Sequence, residues 1–147
     1  MGDKLDISRH QAREIAVQIL YQMDINKEGL VRNMEKLHQA QPKLDLRGSF
    51  LAMIIEGTYE KKEELDEVVD KNIENWRMER IGKVERNIIR LAAYEILYES
   101  DIPTAVSIDE AVELAKDFVG EEAGKFVNGV LGKLVAALDI EREETEK

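Results

Sequence analysis

The sequence predicts an all-α fold, and three observations carry that prediction. Two prolines and nine glycines in 147 residues leave little turn material for an all-β chain. The dominant residues (Glu, Leu, Ile, Ala, Lys, Val) mostly favour helices. Apolar side chains also recur at three- and four-residue steps through most of the chain, the period of an amphipathic helix. The length suits one compact domain, or two small helical halves sharing a core.

The first helix is expected over about 9–25. Ser8-Arg9-His10-Gln11 reads as a capping box, in which the serine oxygen accepts from the amide of residue 11 and Gln11 reaches back to that of Ser8. Ala12, Ile15, Ala16, Ile19, Leu20 and Met23 then line one face, and the helix ends before Gly29. A short helix over 29–39 carries Leu30, Val31, Met34 and Leu37. Pro42 breaks it, because proline supplies no amide and disfavours helix in the residue before it. Asp45 is placed to cap the next stretch, with Phe50, Leu51, Ile54 and Thr58 on one face and Leu65, Val68, Val69 and Ile73 continuing to residue 74. The apolar phase slips near Lys61-Lys62-Glu63-Glu64, which fits either one bent helix or two abutting ones.

Trp76 to Gly82 reads as a connector. From Lys83 to about Glu99 a helix turns Val84, Ile88, Leu91, Ala92 and Ile96 inward. Asp101-Ile102-Pro103 is a loop, and Ser107-Ile108-Asp109-Glu110 reads as a second capping box. The helix it opens carries Ile108, Ala111, Val112, Ala115 and Phe118 on one side and stops at Gly120. A last helix, about 121–138, buries Ala123, Phe126, Val127, Val130, Leu131, Leu134 and Leu138. The stretch 140–147 is expected to fray. The whole reads as a single domain, with an N-terminal helical half of about 8–75 and a C-terminal half of about 76–139 joined near Trp76. No strand and no repeat of fixed period is apparent.

With no cysteine, disulfide frameworks, thiolate catalysis and cysteine zinc sites are excluded. The longest uncharged runs fall far short of the roughly 20 residues that span a bilayer. No basic-then-apolar leader opens the chain, so a soluble intracellular, cytoplasmic protein is the expectation. Net charge is −10, unfavourable for gripping nucleic acid by bulk electrostatics. The deficit, however, sits in two blocks, −5 over 56–75 and −8 over 99–147, and the remainder is neutral or mildly basic.

Catalytic readings find little support. His10 and His38 are the only histidines, and His10 with Glu14 makes an ordinary i,i+4 surface pair rather than a metal site. Gly-rich phosphate loops, nucleophile elbows and dinucleotide fingerprints are missing from the sequence. Glu63-Glu64 and Glu121-Glu122 read as solvated acidic faces. No catalytic residue, metal or cofactor is assigned.

The basic residues say more. Arg77, Arg80, Lys83, Arg86 and Arg90 fall in a 14-residue window with two acids, Glu79 and Glu85. Lys83, Arg86 and Arg90 share a helix face by spacing, a basic stripe away from the apolar one. Arg9 and Arg13 are four apart on the first helix, with His10 beside them. These cations serve either as solvating helix faces or as a polyanion site. Tyr21 and Tyr94 read as half-buried ring packing or as stacking surfaces for unpaired bases. Trp76 reads as a packing plug between the halves, and Gly129 and Gly132 as points of close helix approach or tolerated weakness. Asn128 is polar on a largely apolar helix.

Several segments together resemble NusB-type transcription antitermination factors. Ala12-Arg13-Glu14 through Ala16-Val17-Gln18 to Leu20-Tyr21 is similar to the family's opening helix. Asn75-Trp76, Arg80-Ile81, Val84-Glu85-Arg86-Asn87 and Leu91-Ala92-Ala93-Tyr94-Glu95 resemble its middle. Asp101-Ile102-Pro103, the run from Ile108 to Lys116, and Lys125-Phe126-Val127-Asn128-Gly129-Val130-Leu131 resemble its C-terminal portion. The likeness spans nearly the whole chain and is weakest over 26–60.

The resemblance implies about seven helices in two small packed bundles, and a non-catalytic role in antitermination during ribosomal RNA synthesis. It implies pairing with NusE, a small-subunit ribosomal protein, to hold a single-stranded boxA element of nascent RNA. Other Nus factors and RNA polymerase would complete the assembly. By position, the resemblance places RNA contacts on Arg9, His10 and Arg13, and on Arg80, Lys83, Arg86, Glu122, Lys125 and Phe126. Tyr21 and Glu85 fall where RNA and NusE meet. His10 and Gln11 stand where many family members have arginine or lysine, and Ala123 where serine is frequent, which removes phosphate-binding potential and points to NusE as a source of positive charge.

Three other readings compete with this one. A NusB-like module of an RNA cytosine methyltransferase would need a methyl-donor segment, which this sequence lacks. A helical interaction module without RNA suits the acidic composition. A helix-turn-helix regulator would use the Ser107-capped helix and its successor, but that pair turns acids outward toward a duplex.

Overall fold

The computed structural model describes residues 4–146, with side chains described through Asp139. Seven α-helices and one 3-10 turn account for the architecture, and among the described residues there is no strand, only an isolated bridge between Leu5 and Leu44. The chain packs as two compact units, residues 1–60 and 61–147.

The first unit holds α1 (Arg9–Asn26), α2 (Leu30–Ala40) and α3 (Phe50–Glu60). The expected capping box forms at α1: Ser8 Oγ accepts from the Gln11 amide at 3.1 Å, and Gln11 Oε1 accepts from the Ser8 amide at 3.0 Å. Ala12, Ala16, Leu20 and Met23 are buried, and α1 packs on α3. Lys27 ends the helix in the left-handed region, φ 58°. Asp45 does not cap α3. Its carboxylate accepts from the Arg47 amide in a local turn, and Ser49 Oγ takes the capping role at 3.1 Å from the Ala52 amide. This Asx turn and the positive φ of Gly48, 62°, keep residues 45–48 out of helical geometry.

The second unit holds α4 (Lys62–Asn72), the 3-10 turn Met78–Arg80, α5 (Lys83–Tyr98), α6 (Thr104–Phe118) and α7 (Glu121–Glu146). The phase slip near Lys61 therefore marks two helices. The division into halves falls at Glu60/Lys61 rather than near Trp76, because α4 packs against α5, α7 and the 3-10 turn. Every residue of α5 from Asn87 to Ile96 is buried, as befits a helix surrounded by α4, α6 and α7. Asp70 ties the connector down by accepting from the Met78 amide at 2.8 Å.

The second capping box does not form. The helix already starts at Thr104 behind Pro103, so Ser107 lies inside it, buried, and its hydroxyl donates to Glu95 Oε1 at 2.9 Å. Ala111, Leu114 and Ala115 make the core face of α6, while Phe118 is 38% exposed. Gly120 does stop α6, at φ 150°, its amide donating to the Ala115 carbonyl at 3.0 Å. The C-terminal stretch expected to fray is helical to Glu146, since no glycine or proline follows Gly132 to interrupt it; Lys147 lies outside the described residues.

Candidate nucleic-acid interface

In the first unit the N-terminal motif separates into three environments. The Arg9 guanidinium lies 4.5 Å from the Phe50 ring centroid with its side chain exposed, a cation–π contact that leaves the charge facing water. Arg13, one helical turn on, is 5.2 Å from the same ring but only 3% exposed. His10 Nε2 meets Glu14 at 2.8 Å, both partly exposed. Of the three, Arg9 is the exposed cation, and Arg13 belongs to the core. Tyr21, farther along α1, is half-buried.

In the second unit the basic window divides as well. Arg80 ends the 3-10 turn and Lys83 opens α5; both are exposed, and no ion pair holds either among the described residues. They flank a helix N-terminus, where the backbone amides add positive potential. Arg86 is half-buried, with Nη1 3.5 Å from the Met78 carbonyl. Arg90 leaves the expected stripe. It is 5% exposed and forms a two-pronged ion pair with Asp66, Nε to Oδ1 and Nη2 to Oδ2, each 2.7 Å. Glu85 folds its carboxylate back on Gly82, so tightly that a Cβ at residue 82 would lie 3.0 Å from Oε2.

On α7, Glu122 and Lys125 are solvent-facing and 3.6 Å apart. Phe126 is half-buried rather than buried, and meets Trp76 edge to face, centroids 5.0 Å apart at 77°. Trp76 is no plug, being 48% exposed. Beside the two rings lies a hollow of about 150 Å³, bordered also by Lys125, Gly129, Val130 and Lys133. Gly129 and Gly132 bring no helix close: a Cβ at either would meet nothing within 4 Å. Close approach occurs instead at Gly124, where a Cβ would lie 2.7 Å from Lys116 Cγ. Sequence reasoning passed over Trp76 and Lys133 as surface chemistry; the available signal was a lone tryptophan standing outside the apolar helical period, next to Arg77. Asn128 is exposed on α7.

Among the described residues, no group of three or more His, Asp or Glu gathers as a metal site, and no helix is long and apolar enough to cross a membrane. Each unit thus offers an exposed cation near an aromatic ring or a helix N-terminus, the chemistry of phosphate and base contacts.

Comparison with known proteins decides the family. The NusB family model matches residues 10–136. The chain belongs to the NusB family. A transcription antitermination protein NusB of Oceanobacillus iheyensis is 46% identical over 130 residues, covering 88% of this chain and all of that protein. NusB of T. maritima superposes with a TM-score of 0.74 at 32% identity, covering 88% of this chain and 92% of that one. The antitermination factors NusB and NusE in complex with double-stranded RNA give a TM-score of 0.77 at 27% identity, covering 89% of this chain and 99% of that one. Membership in the NusB family makes the chain a transcription antitermination factor rather than an enzyme.

Proposed function

We propose that the chain pairs with NusE in the cytoplasm and holds a single-stranded boxA element of nascent ribosomal RNA, with other Nus factors and RNA polymerase completing the assembly. The observation that carries this reading is a pair of exposed cations without ion-pair partners among the described residues, Arg80 and Lys83, in the unit that also exposes Trp76 beside a half-buried Phe126, on a chain of net charge −10. An acidic protein that keeps exposed cations and an exposed tryptophan suits a partner with both phosphates and accessible bases. Unpaired RNA fits better than a duplex, because A-form grooves hide base faces from aromatic side chains. NusE as partner is supported by the solved NusB–NusE–RNA complex, whose NusB fold this chain shares.

Within this reading Arg9, His10, Arg80, Lys83, Arg86 and Lys125 face phosphate, Phe126 faces a base, and Glu122 accepts from a base amino group. Arg13 acts from beneath, through Phe50. Tyr21 and Glu85 contact NusE. The phosphate-binding charge missing at His10 and Gln11 comes from NusE. Fluorescence anisotropy with a boxA oligonucleotide, for the chain alone and for the NusE pair, tests the proposal. Salt-dependent binding that tightens with NusE and weakens in Arg80→Glu/Lys83→Glu supports it. Equal affinities with and without NusE would remove the shared-charge claim. No RNA response even with NusE would leave a protein-only interaction module.

A further inference from the structure

We infer that the hollow beside Trp76 and Phe126 receives one unpaired base of the bound RNA, with Lys125 and Lys133 taking the phosphates on either side. The inference rests on the RNA-binding role proposed above. Trp76 and Phe126 meet edge to face at 77° rather than in a parallel stack, and Trp76 is 48% exposed. A half-exposed indole is an uncommon use of the chain's one tryptophan. Gly129 borders the hollow, and the space a Cβ would occupy there is empty. A side chain at residue 129 would project into room a flat ring needs.

Charge selects the occupant. Lys125 and Lys133 border the hollow from positions eight residues apart, about 12 Å along α7. Lys125 is 73% exposed and only loosely matched by Glu122 at 3.6 Å, and Lys133 has no ion pair among the described residues. Two ammonium groups bracketing a half-exposed indole match a nucleotide, whose ring is flanked by an anion on each side. An aromatic side chain of a protein partner brings no such pair of charges.

The sole tryptophan makes the test direct. The full chain with NusE is titrated with a single-stranded boxA oligonucleotide while Trp76 emission and RNA anisotropy are followed together. Quenching with the same midpoint as the anisotropy is expected. Trp76→Ala should weaken binding about ten-fold, Trp76→Phe should retain most of the affinity, and Lys133→Gln should make the log–log salt slope shallower by about 0.7. Circular dichroism establishes that each variant is folded. Tight RNA binding with unchanged emission and unaltered Trp76→Ala affinity would overturn the inference while leaving RNA binding intact. Loss of NusE binding by Trp76→Ala without RNA would also overturn it, assigning the hollow to protein. Failure of the unsubstituted pair to bind RNA would instead bring down the underlying role, before any variant is made.

Discussion

Arg90 and Asp66 meet fork to fork inside the second unit, both hydrogen bonds at 2.7 Å, with the Arg90 side chain 6% exposed and that of Asp66 26%. Asn87 Oδ1 takes a further guanidinium hydrogen at 3.3 Å. The pair joins α4 to α5 and removes Arg90 from any ligand-facing role. Truncating Asp66 to alanine removes the carboxylate that pairs with a buried cation, which costs about 3–5 kcal/mol. Urea unfolding of Asp66→Ala should show that loss. A midpoint within error of the unsubstituted chain would mean that water reaches Arg90 and replaces the carboxylate.

Gly124 and Gly132 stand on the same helix but should respond oppositely to alanine. Gly132 faces open space, so a methyl group there gains roughly 0.5–1 kcal/mol by restricting the unfolded chain and favouring helix. At Gly124 the methyl would fall 2.7 Å from Lys116 Cγ, close to the root of that side chain, and α6 packs against α7. Gly124→Ala should therefore be about 1 kcal/mol less stable than Gly132→Ala. Comparing the two urea midpoints checks this. Equal gains would show that the Lys116 stem swings aside freely.

Local signals in the sequence located most helices, and they failed where partners distant in sequence decide the outcome. The Ser8 box and the Ser107 box carry the same S-x-x-(Q/E) pattern. Only the first is a helix start, because Pro103 begins α6 earlier and Glu95, twelve residues away, claims the Ser107 hydroxyl. Arg80 and Arg90 lie in one basic window, yet a carboxylate 24 residues upstream draws Arg90 inside while Arg80 stays in water. Arg13 shares a helical face with Arg9, but one further turn takes it into the core. Periodicity shows which way a helix turns a residue, not what waits there. The family resemblance supplied candidate positions, and the structure separates those with exposed charge from those that are buried.

Arg13 and Lys83 should consequently fail in different ways. Lys83→Gln removes an exposed ammonium with no ion pair among the described residues, so stability should hold while boxA binding by the NusE pair weakens and its salt slope becomes shallower by about 0.7. Arg13→Ala removes a buried stem beside Phe50, and should cost about 2 kcal/mol of stability with the salt slope of the folded fraction kept. Parallel urea unfolding and salt titrations separate the two. An Arg13→Ala variant of normal stability and shallow slope would place Arg13 directly on phosphate.

Tyr98 links alkaline stability to the contact between α4 and α5. Its hydroxyl donates to Glu64, its ring stacks on Tyr94 with centroids 5.7 Å apart, and Lys61 Nζ lies 4.5 Å from the ring centroid. The hydrogen bond to Glu64 holds the phenol proton, and together with partial burial and the negative charge of Glu64 pushes the Tyr98 pKa up to about 12 from an ordinary value of 10.0. The folded state thus binds that proton more tightly than the unfolded chain does. By linkage, the stabilisation is fully present below pH 10 and is lost as pH rises toward 12. Tyr98→Phe removes both the proton and the hydrogen bond, so it should be less stable than the unsubstituted chain at neutral pH and the two should converge between pH 10 and 12. Urea midpoints measured from pH 8 upward test the sign. A gap that persists unchanged to pH 12 would mean that Tyr98 stabilises the fold through its ring alone.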